Sequence, residues 1–142
     1  MVIICVFKGG GDTKDVSINA DGSCGNGWIC EHRWRQIYNM NIFRNVANGE
    51  QVKNWWDNNG QQIAFSRGNR AFLVINNEGY NMDVTLQTGL AGGAYCDVIS
   101  GNKNNGSCSG KTINVNSDGT AKFTIGGSDE DPMVAIHADS KL

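Results

Sequence analysis

The chain has 142 residues and carries 12 Lys and Arg residues against 14 Asp and Glu residues, a formal net charge of −2. A chain of this length buries roughly 68 to 70% of its unfolded surface, enough for one domain with its own core. The weakly acidic charge, with basic residues scattered along the chain, argues against nucleic acid as a partner. The longest apolar run, residues 1–7, is far shorter than the roughly 20 residues of a membrane-spanning helix, so no membrane partner is expected.

The first part of the chain predicts a strand, a loop and one helix. Residues 1–7 are apolar and rich in β-branched side chains, which is typical of a strand buried on both faces. Residues 12–29 are polar and rich in glycine, and they predict a loop. A helix is predicted from Glu31 to about residues 39–41. Its apolar face is formed by Cys30, Trp34, Ile37 and Tyr38.

After the helix, the pattern changes to short strands separated by glycine turns about every ten residues, a spacing typical of a sandwich or barrel. The predicted strands are residues 42–46, 61–66, 71–76, 82–88, 93–99, 112–116, 121–125 and 133–138. Because no helix is available to connect parallel strands, the sheets are predicted to be antiparallel. The predicted fold is therefore all-β, an antiparallel sandwich of about eight strands preceded by one α-helix. We divide the chain into an N-terminal strand and loop, residues 1–30, and a single globular unit, residues 31–142.

The five cysteines favour disulfides over a metal site. Cys24 with Cys30, and Cys96 with Cys108, can each close a short loop. A metal site remains the alternative, but the chain has only two histidines, far apart, and no Cys-x-x-Cys spacing. Disulfides would imply a secreted, extracellular protein. Cys5 is left over, as either a buried small side chain or a thiol that links two chains.

One further modification site is a candidate. Asn105-Gly106-Ser107 matches the acceptor pattern for N-glycosylation and lies in a predicted surface loop. The alternative is a chance match in an Asn-rich segment.

No catalytic residue set is predicted. His137 is placed in a strand and His32 on the polar face of the helix, so structural roles are favoured for both. The acids at residues 129–131 could supply a carboxyl pair or calcium ligands, but three consecutive acids before Pro132 favour a solvated turn. We therefore expect no catalytic residue, metal or cofactor.

Three tryptophans give the remaining functional signal. Trp34, Trp55 and Trp56 lie among Asn, Arg and Gln residues, a combination suited to sugars, whose C–H faces pack on aromatic rings. Core packing is the alternative and is favoured for Trp34 on the apolar helix face. Since adjacent residues of a strand point to opposite faces, Trp55 and Trp56 cannot both be exposed on one side.

Several motifs together resemble the animal α-amylases, glycoside hydrolase family 13, in the same order along the chain. They read WICEHRWRQI at 28–37, FRNV at 43–46, NWWDN at 54–58, AFSRG at 64–68, LQTGL at 86–90, YCDVISG at 95–101, AIHA at 135–138 and SKL at 140–142. The resemblance implies the last helix of a catalytic (β/α)₈ barrel followed by an all-β C-terminal domain of Greek-key type. It also implies bridges similar to Cys24–Cys30 and Cys96–Cys108. The acidic catalytic residues of the family, and its calcium and chloride sites, belong to the barrel, and none of those motifs occurs in this sequence. The resemblance therefore implies no enzyme activity for this chain on its own.

Three functional hypotheses follow. The first is a non-catalytic binding module for glucan or another small ligand, with Trp34 as the first candidate and Trp55 and Trp56 next. The second is a fragment of a working α-amylase in which this domain stabilises the barrel. The third is a structural or assembly protein. Because the barrel strands that would cover the apolar helix face are missing from this sequence, that face is expected to be uncovered. A homodimer could form through this face, or through the N-terminal strand, which carries Cys5.

Overall fold

The computed structural model describes residues 14–142, so the predicted strand at residues 1–7 and Cys5 lie outside the described residues. The chain forms two compact units, Met1–Tyr38 and Asn39–Leu142. The division falls inside the α-helix. The predicted boundary between residues 30 and 31 separates the N-terminal strand and loop from the helix and β-domain that resemble the family, and it stays a prediction.

The first unit is held by turns and a disulfide. None of its described residues, 14–38, is buried. An isolated antiparallel bridge pairs Ile18 with Cys24, and Cys24 is bonded to Cys30. A 3-10 helix, Glu31–Arg33, follows, and Trp34 then takes an extended backbone conformation before the α-helix begins. This segment therefore gains little from apolar burial and depends on its cross-link and hydrogen bonds.

One α-helix, α1, spans Arg35–Val46, so the strand predicted at residues 42–46 is wrong. Its buried residues are Asn39 and Phe43, one turn apart, and not the predicted apolar face. The Asn39 amide is satisfied by donating to the carbonyl oxygen of Val98 at 2.7 Å. Within residues 14–142, no helix combines the length and apolar character that a membrane crossing requires.

The second unit is built from antiparallel strands. They are β1 Val52–Asp57, β2 Gln62–Arg67, β3 Ala71–Asn76, β4 Met82–Gln87, β5 Gly93–Cys96, β6 Lys103–Asn104, β7 Ser107–Cys108, β8 Thr112–Val115, β9 Thr120–Ile125 and β10 Met133–His137. Two four-stranded sheets have the orders β1-β2-β3-β10 and β4-β9-β8-β5, and β6 pairs with β7 in a small hairpin. Long connections place β10 beside β3 and β9 beside β4, an arrangement of the Greek-key kind. A second 3-10 helix, Ala138–Ser140, follows β10.

The main core lies between the two four-stranded sheets. Alternation sends every second side chain inward, as in β9, where Ala121, Phe123 and Ile125 are buried and their neighbours are exposed. These residues pack with Phe72 and Val74 of the other sheet in one apolar cluster. The all-β sandwich and seven of the eight predicted strands are thus confirmed.

A second cluster covers the other face of the β1-β2-β3-β10 sheet. Phe43 and Ala47 pack there with Leu73 and Ala135 of the sheet and with Ile99. Because β3 and β10 are covered on both faces, their burial is nearly continuous instead of alternating.

Candidate functional site

Trp34 lines an open pocket of about 470 Å³ in the first unit. The pocket is lined by Asp21, Ser23, Cys24, Trp28, Ile29, Cys30, Arg33, Trp34, Arg35 and Gln36. Trp34 is 52% exposed, whereas its predicted position on the apolar helix face had favoured core packing. Its carbonyl oxygen accepts hydrogen bonds from the backbone N–H groups of Ile37 and Tyr38, so it lies at the start of α1. That position holds the residue at a fixed point beside the disulfide.

Polar groups on the pocket wall are held in place by local hydrogen bonds. Asp21 accepts from the Ser23 hydroxyl at 2.6 Å and from the Ser23 backbone N–H at 2.9 Å. These two bonds, the hydroxyl one first, hold the pKa of the Asp21 carboxyl below its ordinary value of 3.8. Arg33 Nε donates to the Gly22 carbonyl oxygen at 2.6 Å. At neutral pH the wall therefore presents an ionised acceptor close to a guanidinium donor.

Trp28 has a different role from Trp34. Its indole N–H donates to the carbonyl oxygens of Lys14 and Asp15, at 3.1 and 3.2 Å. The side chain is half-buried and connects the beginning of the described chain to the segment that carries the disulfide. We therefore assign Trp28 to the framework of the pocket.

Trp55 is the second exposed tryptophan, 58% exposed on the edge strand β1. One face of its indole stacks on Phe65, with ring centroids 5.9 Å apart and planes 13° from parallel. Its N–H donates to Asp57 Oδ2 at 2.8 Å, and this bond is the main cause that lowers the pKa of Asp57. A ring fixed on one face and at its polar edge leaves the other face as a flat, ordered platform.

Trp56 points to the other side of β1. It is half-buried and packs against the core between the sheets, so of this pair only Trp55 offers an exposed ring. The register of β1 on β2 shifts between Lys53 and Trp56, and Asn54 has φ 50° at this irregularity. Asn is among the few residues that tolerate such a left-handed backbone.

The sequence interpretation missed Tyr80, which is 56% exposed in the loop between β3 and β4. Its hydroxyl accepts a hydrogen bond of 3.0 Å from Asn58 Nδ2 in the loop between β1 and β2. The signal that could have found it is a single aromatic residue directly after the turn at Glu78-Gly79. A lone aromatic residue gives no periodic pattern, so the sequence does not distinguish Tyr80 from an ordinary loop residue.

A family model described as the C-terminal all-beta domain of alpha amylase matches residues 53–139. The chain belongs to this family. It is 64% identical over 135 residues to the alpha-amylase of Oryzias latipes, covering 95% of this chain and 26% of that protein. Pancreatic alpha-amylase 2a5 of Mus musculus is 64% identical over 132 residues, covering 93% of this chain and 26% of that protein. A solved structure, a mutant of alpha-amylase I from Eisenia fetida with maltohexaose, superposes with a TM-score of 0.80 at 55% identity, covering 93% of this chain and 27% of that one.

The chain thus spans about a quarter of the length of the α-amylases it matches. The matched region is the C-terminal all-β domain and not the catalytic barrel. This α-amylase C-terminal domain contains both expected disulfides, Cys24–Cys30 and Cys96–Cys108. Asn105 lies exposed at the turn between β6 and β7, and its glycosylation stays a prediction.

The remaining polar candidates have structural partners. Asp129 accepts from the Gly126 backbone N–H at 3.0 Å and lies 3.7 Å from Lys111 Nζ, as expected of a solvated turn. Among the described residues, no group of three or more His, Cys, Asp or Glu side chains could hold a metal ion. His137 is buried, and burial is the main cause that lowers its pKa from the ordinary 6.5. His32 is exposed in the first 3-10 helix.

Proposed function

We propose that this α-amylase C-terminal domain is a secreted, non-catalytic module that binds α-glucan. The observation that carries the proposal is Trp34, half-exposed in an open pocket whose wall is otherwise mixed polar and apolar. A pyranose ring has C–H faces that pack on an indole and hydroxyls that need donors and acceptors around it. Asp21 and Arg33 provide these groups beside Trp34.

The similar proteins support the class of ligand and the compartment. The solved structure of the Eisenia fetida alpha-amylase I mutant is a complex with maltohexaose, and the Mus musculus relative is named a pancreatic alpha-amylase. Two disulfides in a chain of this size suit an oxidising compartment, which supports secretion. The α-glucan ligand and the secretion of this chain are both part of the proposal.

The test follows the side-chain indole N–H signals of the four tryptophans by NMR during titration with maltoheptaose. We expect the Trp34 signal to shift and saturate with a dissociation constant on the order of 1 mM. The half-buried Trp56, which does not line this pocket, is the internal control, and cello-oligosaccharide tests selectivity for α-links. Trp34→Ala should abolish binding at this pocket. A Trp34 signal that stays constant up to about 10 mM maltoheptaose would refute the proposal.

A second candidate function is stabilisation of a catalytic barrel. Ile37 and Tyr38, three and four residues after Trp34, share its helix face and are 40% and 37% exposed. Such an apolar stripe suits packing against a larger body, and the relatives are about four times as long. The test uses a chimeric α-amylase in which this chain replaces the C-terminal domain of a relative. Ile37→Ser should lower the melting temperature of the chimera and should not change the melting temperature of the isolated chain. If the chimera melts at the same temperature with and without Ile37→Ser, this function is excluded.

The hypothesis of a structural or assembly protein depends on Cys5 and the predicted strand at residues 1–7, outside the described residues. Homodimer formation likewise stays a prediction.

A further inference from the structure

We propose that Trp55 and Tyr80 form a second α-glucan contact, separate from the Trp34 pocket, on the all-β unit. This inference rests on the proposed glucan-binding function. Trp55 was a candidate from the sequence, whereas Tyr80 and its connection to Trp55 were not recognised there. Trp55 and Tyr80 are among the most exposed large side chains of the unit, at 58% and 56%. Both are nevertheless ordered by specific hydrogen bonds to the same short segment, Asp57 and Asn58.

The segment between the two rings is itself firmly held. Asp57 Oδ1 accepts from the Asn59 backbone N–H at 3.0 Å, while its other oxygen accepts from Trp55. Asn58 Oδ1 accepts from the backbone N–H groups of Gly60 and Gln62, at 2.8 and 3.1 Å. With its oxygen used in this way, the Asn58 amide is oriented so that its nitrogen donates to the Tyr80 hydroxyl. The two rings are therefore joined through one preorganised turn.

The backbone of the loop that carries Tyr80 is held by a buried side chain. Asn76 is 1% exposed, and its Nδ2 donates to the Tyr80 carbonyl oxygen at 3.0 Å and to the Ile125 carbonyl oxygen at 3.1 Å. These bonds fix the backbone at Tyr80 to β9 of the opposite sheet. The loop that carries Tyr80 is thus part of the rigid frame, as Trp55 is through its stacking on Phe65.

Fixed, exposed aromatic rings beside carboxylate and amide groups suit a carbohydrate better than an apolar ligand. The surface between the rings carries Asp57, whose pKa is lowered by the Trp55 and Asn59 hydrogen bonds, so it is an ionised acceptor at neutral pH. The exposed Asn59, Gln61 and Asn77 lie in the same two loops and add donors and acceptors for hydroxyls. An α-glucan would place a C–H face of one residue on Trp55 and a neighbouring residue against Tyr80.

The test uses the same maltoheptaose titration with the full chain, now read at the Trp55 indole signal. We expect this signal to shift, and we expect Tyr80→Ala, read at the Trp55 indole, and Trp55→Ala, read at the backbone amide of Asn59, each to weaken binding at this site by about tenfold. Val52→Ser is the matched control, because Val52 is 56% exposed on the same strand. Trp55→Phe keeps a ring on Phe65 and should retain part of the affinity.

The outcomes separate the two sites. A shift at Trp34 with none at Trp55 overturns this inference and leaves the proposed pocket standing. A shift at Trp55 with none at Trp34 supports this inference and moves the glucan site away from the pocket. If Trp55→Ala and Tyr80→Ala bind maltoheptaose at this site as Val52→Ser does, the second contact is excluded.

Discussion

Buried polar side chains fix positions that apolar packing leaves free. Asp97 is 1% exposed, and its Oδ1 accepts from the backbone N–H groups of Ile99 and Ala135, at 3.1 and 3.0 Å. Asn76 makes comparable bonds across the sandwich. Neither role is readable from the sequence, because an Asp or Asn beside a strand looks like a turn residue until its distant partners are known.

His137 makes the stability of the fold dependent on pH. It is 5% exposed, and its ring meets Phe43 edge to face at 6.3 Å. Burial lowers the pKa of the imidazole from 6.5; Asp139 opposes this, and Arg70 and Lys103 add to it. The unfolded chain therefore binds a proton at a higher pH than the folded chain does, so stability is complete above about pH 6.5 and falls as pH decreases below it.

We expect the free energy of urea unfolding to fall between pH 7.5 and pH 5.5, and His137→Phe to flatten that dependence, since the replacement keeps a ring but cannot be protonated. His32→Gln, which replaces an exposed histidine of the first 3-10 helix, is the matched control variant. An unchanged slope in His137→Phe would show that other groups cause the pH dependence.

At the scale of elements, prediction from the sequence was wrong where tertiary contacts, and not a local residue pattern, determine the secondary structure. Residues 42–46, IFRNV, were predicted as a strand because periodicity cannot distinguish a strand from a helical segment over five residues of which three are apolar. The buried helical face begins with Asn39, a polar residue that hid the spacing of Asn39 and Phe43. Strand β1 was missed because only one of its six residues, Trp56, is even partly buried, so it shows no alternation.

The candidate site divides in the same way. Trp34 and Trp55 could be selected as flat rings among polar residues, but their exposure could not. The residues that α1 buries are Asn39 and Phe43, which contact Val98 and the sheet, and no local pattern of the sequence indicates that choice. Tyr80 was missed because its importance comes from Asn58, more than twenty residues earlier in the chain.

The assignment of α1 predicts losses of stability of very different size at two adjacent residues. Phe43 is 5% exposed beneath the helix, whereas Ile42 is 46% exposed. We expect Phe43→Ala to lower the free energy of unfolding by about 3 to 5 kcal/mol, because it leaves a cavity between the helix and the sheet. Ile42→Ala should change it by less than about 0.5 kcal/mol. Urea denaturation of the two variants decides, and a larger loss at Ile42 would contradict the observed burial.

At the scale of the whole molecule, alternation and turn residues were enough to predict seven strands and an antiparallel sandwich. The division of strands between sheets was not predictable. Consecutive strands β3 and β4 lie in different sheets, whereas β3 pairs with β10 in register from Ile75 opposite Met133 to Ala71 opposite His137. Such pairing depends on which apolar faces fit across the core, and no local residue pattern encodes it.

The two units differ in what stabilises them, and this difference predicts separable effects of the disulfides. Residues 14–38 contain no buried side chain, while the second unit has two apolar clusters. Each bridge closes a short loop, six and twelve residues in separation, worth roughly 2 to 3 kcal/mol in the chain-entropy model. For the first unit this is a dominant contribution.

We therefore expect the double variant Cys24→Ser, Cys30→Ser to lose amide hydrogen-exchange protection in residues 14–34 while the second unit keeps its melting temperature. Because Cys24 and Cys30 line the Trp34 pocket, the response of the Trp34 indole to maltoheptaose should disappear and that of Trp55 should remain. The control variant Cys96→Ser, Cys108→Ser should show the reverse, with reduced stability of the second unit and an intact Trp34 response. Retained protection and an unchanged Trp34 response in the first variant would show that the hydrogen bonds of this segment hold the pocket without its cross-link.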